Sequence, residues 1–276
     1  MNVSIVTYKT DTAELGRCLQ SLDTSIVKQV FIVDNGSEKR IEHFVGAFEN
    51  VEYIANRNTG YGSAHNIALR KSINSGTDYH LVLNSDVYFE PGLLESAKKY
   101  MDNHPDVGQL HPTLIYPDGR HQYTVRRLPT PFDVFIRRFM PESFFKKSRD
   151  RYLLKDLDLE SIIDVPYHQG SFMLLRVESL KNVGLFDERF FMYPEDIDLT
   201  RRMHERYRTI YYPFLTAVHA HKAESYKSGR MLRIHIVNMI RYFNKWGWFV
   251  DPERRKANNA LITGVSCRDM NSNNRR

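Results

Sequence analysis

At 276 residues, with 42% hydrophobic and 26% charged residues, the chain has an ordinary globular composition and room for one large domain or a domain plus an appendage. The net charge of +6, from 39 Lys and Arg against 33 Asp and Glu, suits phosphate-bearing ligands or an anionic membrane surface, and equally plain solubility; no recognisable nucleic-acid module accompanies it. No apolar run approaches a membrane span, the first residues lead straight into a strand, and the two cysteines, Cys18 and Cys267, match no metal or redox spacing, so the expectation is a cytoplasmic chain without a signal peptide.

The first part of the chain repeats one unit. Val3-Ser4-Ile5-Val6 predicts a strand running into Thr7-Tyr8. Asp11 predicts a helix start, with Glu14 in the capping-box position. Leu15, Cys18, Leu19 and Leu22 then fall at i, i+3, i+4 and i+7, one buried stripe. Gln29–Val33 is a second strand ending in Asp34-Asn35-Gly36-Ser37, and a helix is expected near 38–48. A third strand, Val51–Ala55, is followed by Asn56-Arg57-Asn58-Thr59-Gly60-Tyr61-Gly62 and a helix over 63–73. The fourth strand, Leu81-Val82-Leu83, ends in Asn84-Ser85-Asp86, with a helix start at Glu90-Pro91-Gly92.

Strands alternating with helices predict βαβ units with right-handed crossovers, a nucleotide-binding type of sheet. Ligands of such sheets bind beyond the carboxyl ends of the strands, where the polar loops fall here. A carboxylate two residues after an amide, as in Asn84-Ser85-Asp86, can hold a divalent cation that carries a substrate's phosphates. Asn and Asp are also ordinary turn residues, so the same triplet reads as a capped strand end.

The second half is less regular. A strand over 107–116 and a turn at Pro117-Asp118-Gly119 are expected. The segment 129–152 mixes Phe132, Phe135, Phe139, Phe144 and Phe145 with Arg137, Arg138, Lys146 and Lys147, which fits an interfacial helix, a lid over an acceptor, or an amphipathic helix covering the core. The sheet resumes over 165–176, with Gly170-Ser171 marking a bulge or a close approach. Tyr193-Pro194-Glu195-Asp196-Ile197-Asp198 places acids at a helix start, where the dipole favours them and Asp198 can pair with Arg202; a carboxylate there is also well placed as a general base. A last strand, 208–212, precedes His219 and His221, of which an extended chain turns at most one to a given site. A basic amphipathic helix over 231–248 fits a membrane-surface belt or a dimer face, and the chain from about 257 onward reads as a polar tail.

Over roughly residues 1–250 these loops, in this order, resemble family 2 glycosyltransferases with a GT-A fold, in particular the bacterial rhamnosyltransferase-like branch. The matching residues are Thr7-Tyr8, Val33–Ser37, Asn58–Gly62 with Asn66, Leu83–Asp86, and Tyr193–Leu199 with Arg202. The resemblance implies an α/β, Rossmann-like, mostly parallel central sheet flanked by helices, with a C-terminal helical appendage. It implies a catalytic domain over 1–215, divided near 115 into nucleotide-sugar and acceptor halves, and a helical extension with a polar tail over 216–276. It further implies that Thr7 and Asp34 contact the nucleobase and ribose, that Tyr8, Asn58, Gly60, Gly62, Asn66, Asn84 and Ser85 belong to the nucleotide-sugar site, and that Asp86 holds Mg²⁺ or Mn²⁺. Asn84 stands where many relatives have Asp, which lowers the charge on the metal. Asp196, beside Glu195, would be the catalytic base, and His219 aligns better than His221 with a histidine that helps hold the metal or phosphates.

The implied activity is inverting transfer of a sugar from a donor such as dTDP-rhamnose or a UDP-hexose to a saccharide or lipid-linked saccharide, in capsule or O-antigen synthesis. The enzyme would work in the cytoplasm, peripheral to the inner face of the membrane. A nucleotidyltransferase would show a Gly-rich phosphate loop after the first strand, and Thr7-Tyr8-Lys9-Thr10 has none. A non-catalytic nucleotide-sugar-binding protein of the same fold is the other alternative.

Overall fold

The computed structural model describes residues 1–141, 144–220 and 229–263. The chain opens with β1 (Asn2–Thr7), α1 (Thr12–Gln20), β2 (Gln29–Asp34), α2 (Lys39–Val45), β3 (Val51–Ala55), α3 (Tyr61–Asn74) and β4 (Tyr79–Asn84). Asp11 caps α1 by accepting from the Ala13 and Glu14 amides, and Leu15, Cys18, Leu19 and Leu22 are all buried, as their spacing predicts.

After β4 come β5 (Val87–Phe89), α4 (Leu93–Asn103), β6 (Val107–Ile115), β7 (His121–Gln122) and β8 (Val125–Arg126). Then follow α5 (Pro131–Phe139), α6 (Lys146–Tyr152), β9 (Ile163–Asp164), β10 (Tyr167–His168), β11 (Phe172–Arg176), α7 (Val177–Val183), α8 (Glu195–His204), β12 (Arg208–His219), α9 (Gly229–Trp246) and α10 (Pro252–Thr263).

The main sheet runs β3-β2-β1-β4-β11-β6-β12-β5. Strands β1 to β4 pair in parallel and β6 with β12 likewise, while β11 lies antiparallel between β4 and β6, and β5 antiparallel on β12. Both faces are covered: Leu81 and Leu83 of β4 enter one core with α1 and α4, and Val82 enters the other with Leu69, Leu199 and Met203. The carboxyl ends of β1, β2, β4 and β12 therefore share one edge with the amino end of β11.

Two expectations are corrected. The last strand does not stop at Tyr212; it continues to His219, across the division expected at residue 215. The segment from 257 is not all tail: α10 runs to Thr263, and Ala257, Ala260 and Leu261 are buried. Arg201 of α8 meets Asp251 in a two-pronged ion pair at 2.8 and 2.6 Å, and Tyr242, Phe243 and Ala257 join Leu128, Tyr152 and Ile197 in one core. His221 and Cys267 lie outside the described residues.

Candidate active site

At the β1 and β2 ends, Asp34 is fully buried and saturated. Its oxygens accept from Thr7 Oγ1 at 3.0 Å, Tyr53 Oη at 3.0 Å and the amides of Gly36 and Glu38 at 3.0 and 2.6 Å. Thr7 is also fully buried, and the pair braces the 34–38 loop at the carboxyl ends of β1 and β2. Tyr8, by contrast, is 53% exposed above the edge.

In the Asn58–Gly62 loop, a Cβ on Gly60, whose φ is +108°, would collide with the Phe191 carbonyl, and one on Gly62 would stand 2.8 Å from the Phe186 Cβ. These glycines admit the 186–191 segment. Asn66 serves the same contact, its amide bonding the Phe186 carbonyl at 2.9 Å and the Phe186 N–H at 3.0 Å, and its Nδ2 also donating to Glu188 at 2.9 Å. Asn58 stays exposed, its Oδ1 accepting from the Gly60 amide at 3.3 Å.

At the β4 end the chain turns through Asn84, Ser85 and Asp86, all half-buried, into β5. Val87 pairs with His219 on β12, and the Ala220 amide donates to the Asp86 carbonyl at 3.0 Å. That pairing brings His219 Nε2 to 3.4 Å from Asp86 Oδ1 and 3.5 Å from Asn84 Nδ2. Gln122 fixes the imidazole: its Nε2 donates to the His219 carbonyl at 2.7 Å, which turns its Oε1 to His219 Nδ1 at 2.9 Å. Nδ1 therefore carries a proton, and in the neutral ring Nε2 keeps a lone pair facing the carboxylate.

A carboxylate, an imidazole lone pair and an amide form a partial donor set that fits a divalent cation, with phosphate or water oxygens completing the shell. Among the described residues no three His, Cys, Asp or Glu side chains form a metal-holding group, so no all-protein cage exists there.

The other acids lie at the start of α8. Asp196 Oδ2 accepts from the Gly170 amide at 2.9 Å and Oδ1 from the Ile197 amide at 2.8 Å. A Cβ on Gly170 would press against Tyr61 and Asp196 at 3.3 and 3.4 Å, so Gly170-Ser171 marks a close approach. Burial raises the Asp196 pKa, while these two amides and Arg126 oppose the rise. Burial and then the Asp196 charge push Glu195 well above the usual carboxylate range, and its Oε2 is buried without a hydrogen-bond partner. Burial thus holds both acids above their ordinary range, Glu195 the more strongly.

Asp198 has a structural task. Fully buried, it accepts from Arg202 Nε at 2.9 Å, Trp246 Nε1 at 2.8 Å and Lys245 Nζ at 2.6 Å, fastening α9 onto α8.

Tyr61, the first residue of α3, joins the two ends. Its hydroxyl lies 2.8 Å from both Asn84 Oδ1 and the Gly170 carbonyl. One cleft of about 430 Å³ is lined by Tyr61, Asn84, Gln122 and Gly170 together with Glu195 and Asp196. A carboxylate in the cleft and, next to Asn84, a carboxylate–imidazole pair able to hold a cation are an arrangement that suits transfer to a hydroxyl with loss of a phosphorylated leaving group. The sequence singled out neither Gln122 nor Tyr61 as a site residue; Tyr61 was visible within the matched loop, whereas nothing local marks Gln122.

Residues 3–184 match the family model described as glycosyl transferase family 2. The chain is 29% identical over 220 residues to an N-acetylglucosaminyl-diphospho-decaprenol L-rhamnosyltransferase of Mycobacterium tuberculosis, covering 74% of this chain and 70% of that one. It is 27% identical over 223 residues to the rhamnosyltransferase WbbL of Escherichia coli K12, covering 78% and 81%. Among solved structures, GalNAc-T7 with UDP, GalNAc and Mn²⁺ superposes with a TM-score of 0.60 at 14% identity, over 81% of this chain and 43% of that longer one. The mannosyltransferase PcManGT of Pyrobaculum calidifontis, with GDP-Man and Mn²⁺, gives 0.57 at 17% identity, over 94% and 68%. The mixed α/β fold is shared with these enzymes, and the family match covers well over half of the sequence: the chain belongs to glycosyl transferase family 2.

Proposed function

We propose that this glycosyltransferase acts in cell-surface polysaccharide assembly, moving rhamnose or another hexose from a nucleoside-diphosphate sugar to a hydroxyl of a lipid-linked saccharide, with inversion. The observation that carries the reading is one cleft lined by both Asn84 and Asp196, which Tyr61 and Gly170 link by hydrogen bonds. In the proposed step the acceptor oxygen bonds to the anomeric carbon as the bond from that carbon to the diphosphate breaks. The hydroxyl proton passes to Asp196, whose Oδ2 is held in place by the Gly170 amide. Glu195, keeping its own proton, adds no second negative charge beside the base. Asp86 and His219 would hold Mg²⁺ or Mn²⁺, which when bound offsets the charge of the leaving diphosphate.

The mycobacterial relative's name supports a diphosphate-linked acceptor, and both relatives' names support rhamnose as the sugar moved. Among the described residues no helix is long and apolar enough to cross a membrane. The test is incubation with dTDP-, UDP- and GDP-sugars and a diphospho-lipid saccharide, with Mg²⁺ or Mn²⁺ added or chelated. Release of nucleoside diphosphate matched by a product of inverted anomeric configuration supports the reading; no release from any donor contradicts it.

A further inference from the structure

A second recess of about 100 Å³ adjoins the cleft. Arg126, Arg137, Tyr167 and Tyr193 line both hollows, so the recess begins where the chamber of the base ends. Arg138 and His235 complete a wall that contains three guanidinium groups and no acidic residue. Tyrosine rings hold two of those groups: Arg126 lies 5.5 Å over Tyr167, and Arg137 lies 5.2 Å over Tyr152. This recess is built for an anion.

Arg137 and Arg138 belong to α5, a helix fixed at its start by a reciprocal capping box between Thr130 and Asp133, with Pro131 in its first turn. The same helix leaves Phe132, Phe135 and Phe139 exposed at 53%, 53% and 52%, and Phe145 packs on Phe132 at 5.5 Å. At spacings of three and four these rings form one apolar ridge that covers no core. A cationic recess next to an exposed aromatic ridge matches an amphiphile: a sugar in the cleft, an anionic linker in the recess, a hydrocarbon chain along the ridge.

We propose that Arg126, Arg137, Arg138 and His235 bind the diphosphate of a lipid-linked acceptor, and that the α5 ridge receives the start of its hydrocarbon chain. The proposal rests on the glycosyl-transfer reading and adds to it the acceptor site.

Its test compares one saccharide presented as a short-chain isoprenoid diphosphate ester and as a neutral alkyl glycoside. Arg138→Ala, at a residue that lines the recess and not the cleft, is expected to raise the KM for the diphosphate ester at least tenfold, leaving the KM for the neutral glycoside and for the donor unchanged, and Arg138→Lys should recover most of the loss. Equal effects on both acceptors, or none on either, overturn the proposal. A second arm measures farnesyl diphosphate binding by calorimetry in EDTA, without donor. Binding by the wild type that weakens at least tenfold in Arg138→Ala supports the recess even if no donor turns over, in which case the transfer reading alone fails. Equal binding by both proteins, or none by the wild type, overturns the recess and leaves the transfer reading standing.

Discussion

The Tyr61 hydroxyl donates toward Asn84 Oδ1 across 2.8 Å, tying the first turn of α3 to the end of β4. Burial above all, with the charges of Asp196 and Asp86, pushes the Tyr61 phenol well above its ordinary pKa, so the hydroxyl keeps its proton. Carboxylates from both halves of the chain thus act on one ring.

Tyr61→Phe is expected to strand the Asn84 and Gly170 oxygens, at a cost of about 1–3 kcal/mol for unsatisfied buried groups. Small displacements of reacting groups are costly, so kcat should fall by up to ~10²-fold, more than donor affinity does. Urea melts and steady-state kinetics on one preparation check both; an unchanged kcat contradicts the bridging role.

Gln122→Ala should act through His219. Without the amide that orients Nδ1, the concentration of Mg²⁺ or Mn²⁺ needed for half-maximal activity is expected to rise about 10–100-fold, the usual consequence of removing a partner behind a metal ligand. Metal titrations of the variant and the wild type measure it.

Asp198→Ala removes the common acceptor of Arg202, Lys245 and Trp246. Breaking a buried ion pair from one side costs about 3–5 kcal/mol, so a large loss of Tm is expected. A variant as stable as the wild type would show that α9 is held by its apolar contacts alone.

Glu195 gives a pH signature. Its folded pKa is raised, so the folded state binds a proton more tightly than the unfolded chain, and stability falls as pH rises from the ordinary carboxylate range toward the raised value. Glu195→Gln removes that dependence. The variant should gain Tm over the wild type at pH 8, and the gain should shrink at pH 5. An equal gain at both pH values contradicts the assignment of the proton to Glu195.

The parallel half of the sheet was legible because Leu15, Cys18, Leu19 and Leu22, and the apolar runs of β1, β2 and β4, carry clear periods. The direction of β11 was not, since nothing within Phe172–Arg176 encodes its neighbours. Val87–Phe89 is too short to show a period, yet it sets the pairing that brings Asp86 to His219. The acids and polar strand ends identified the cleft. Gly60, Gly62 and Asn66 stood out in the sequence, but their contact with Phe186 and Phe191 did not, because that segment lies more than a hundred residues away. Helix α10 escaped notice because its buried face, Arg254, Ala257, Ala260 and Leu261, contains a single large apolar residue in a polar sequence.

The most direct test of this cleft as the transfer site is Asp196→Asn, measured for transfer and for donor binding together. An amide of the same shape cannot take the acceptor proton, so turnover should drop by ~10²–10⁴-fold while the affinity for the sugar nucleotide stays within a few-fold of wild type. Turnover within tenfold of wild type would contradict the account.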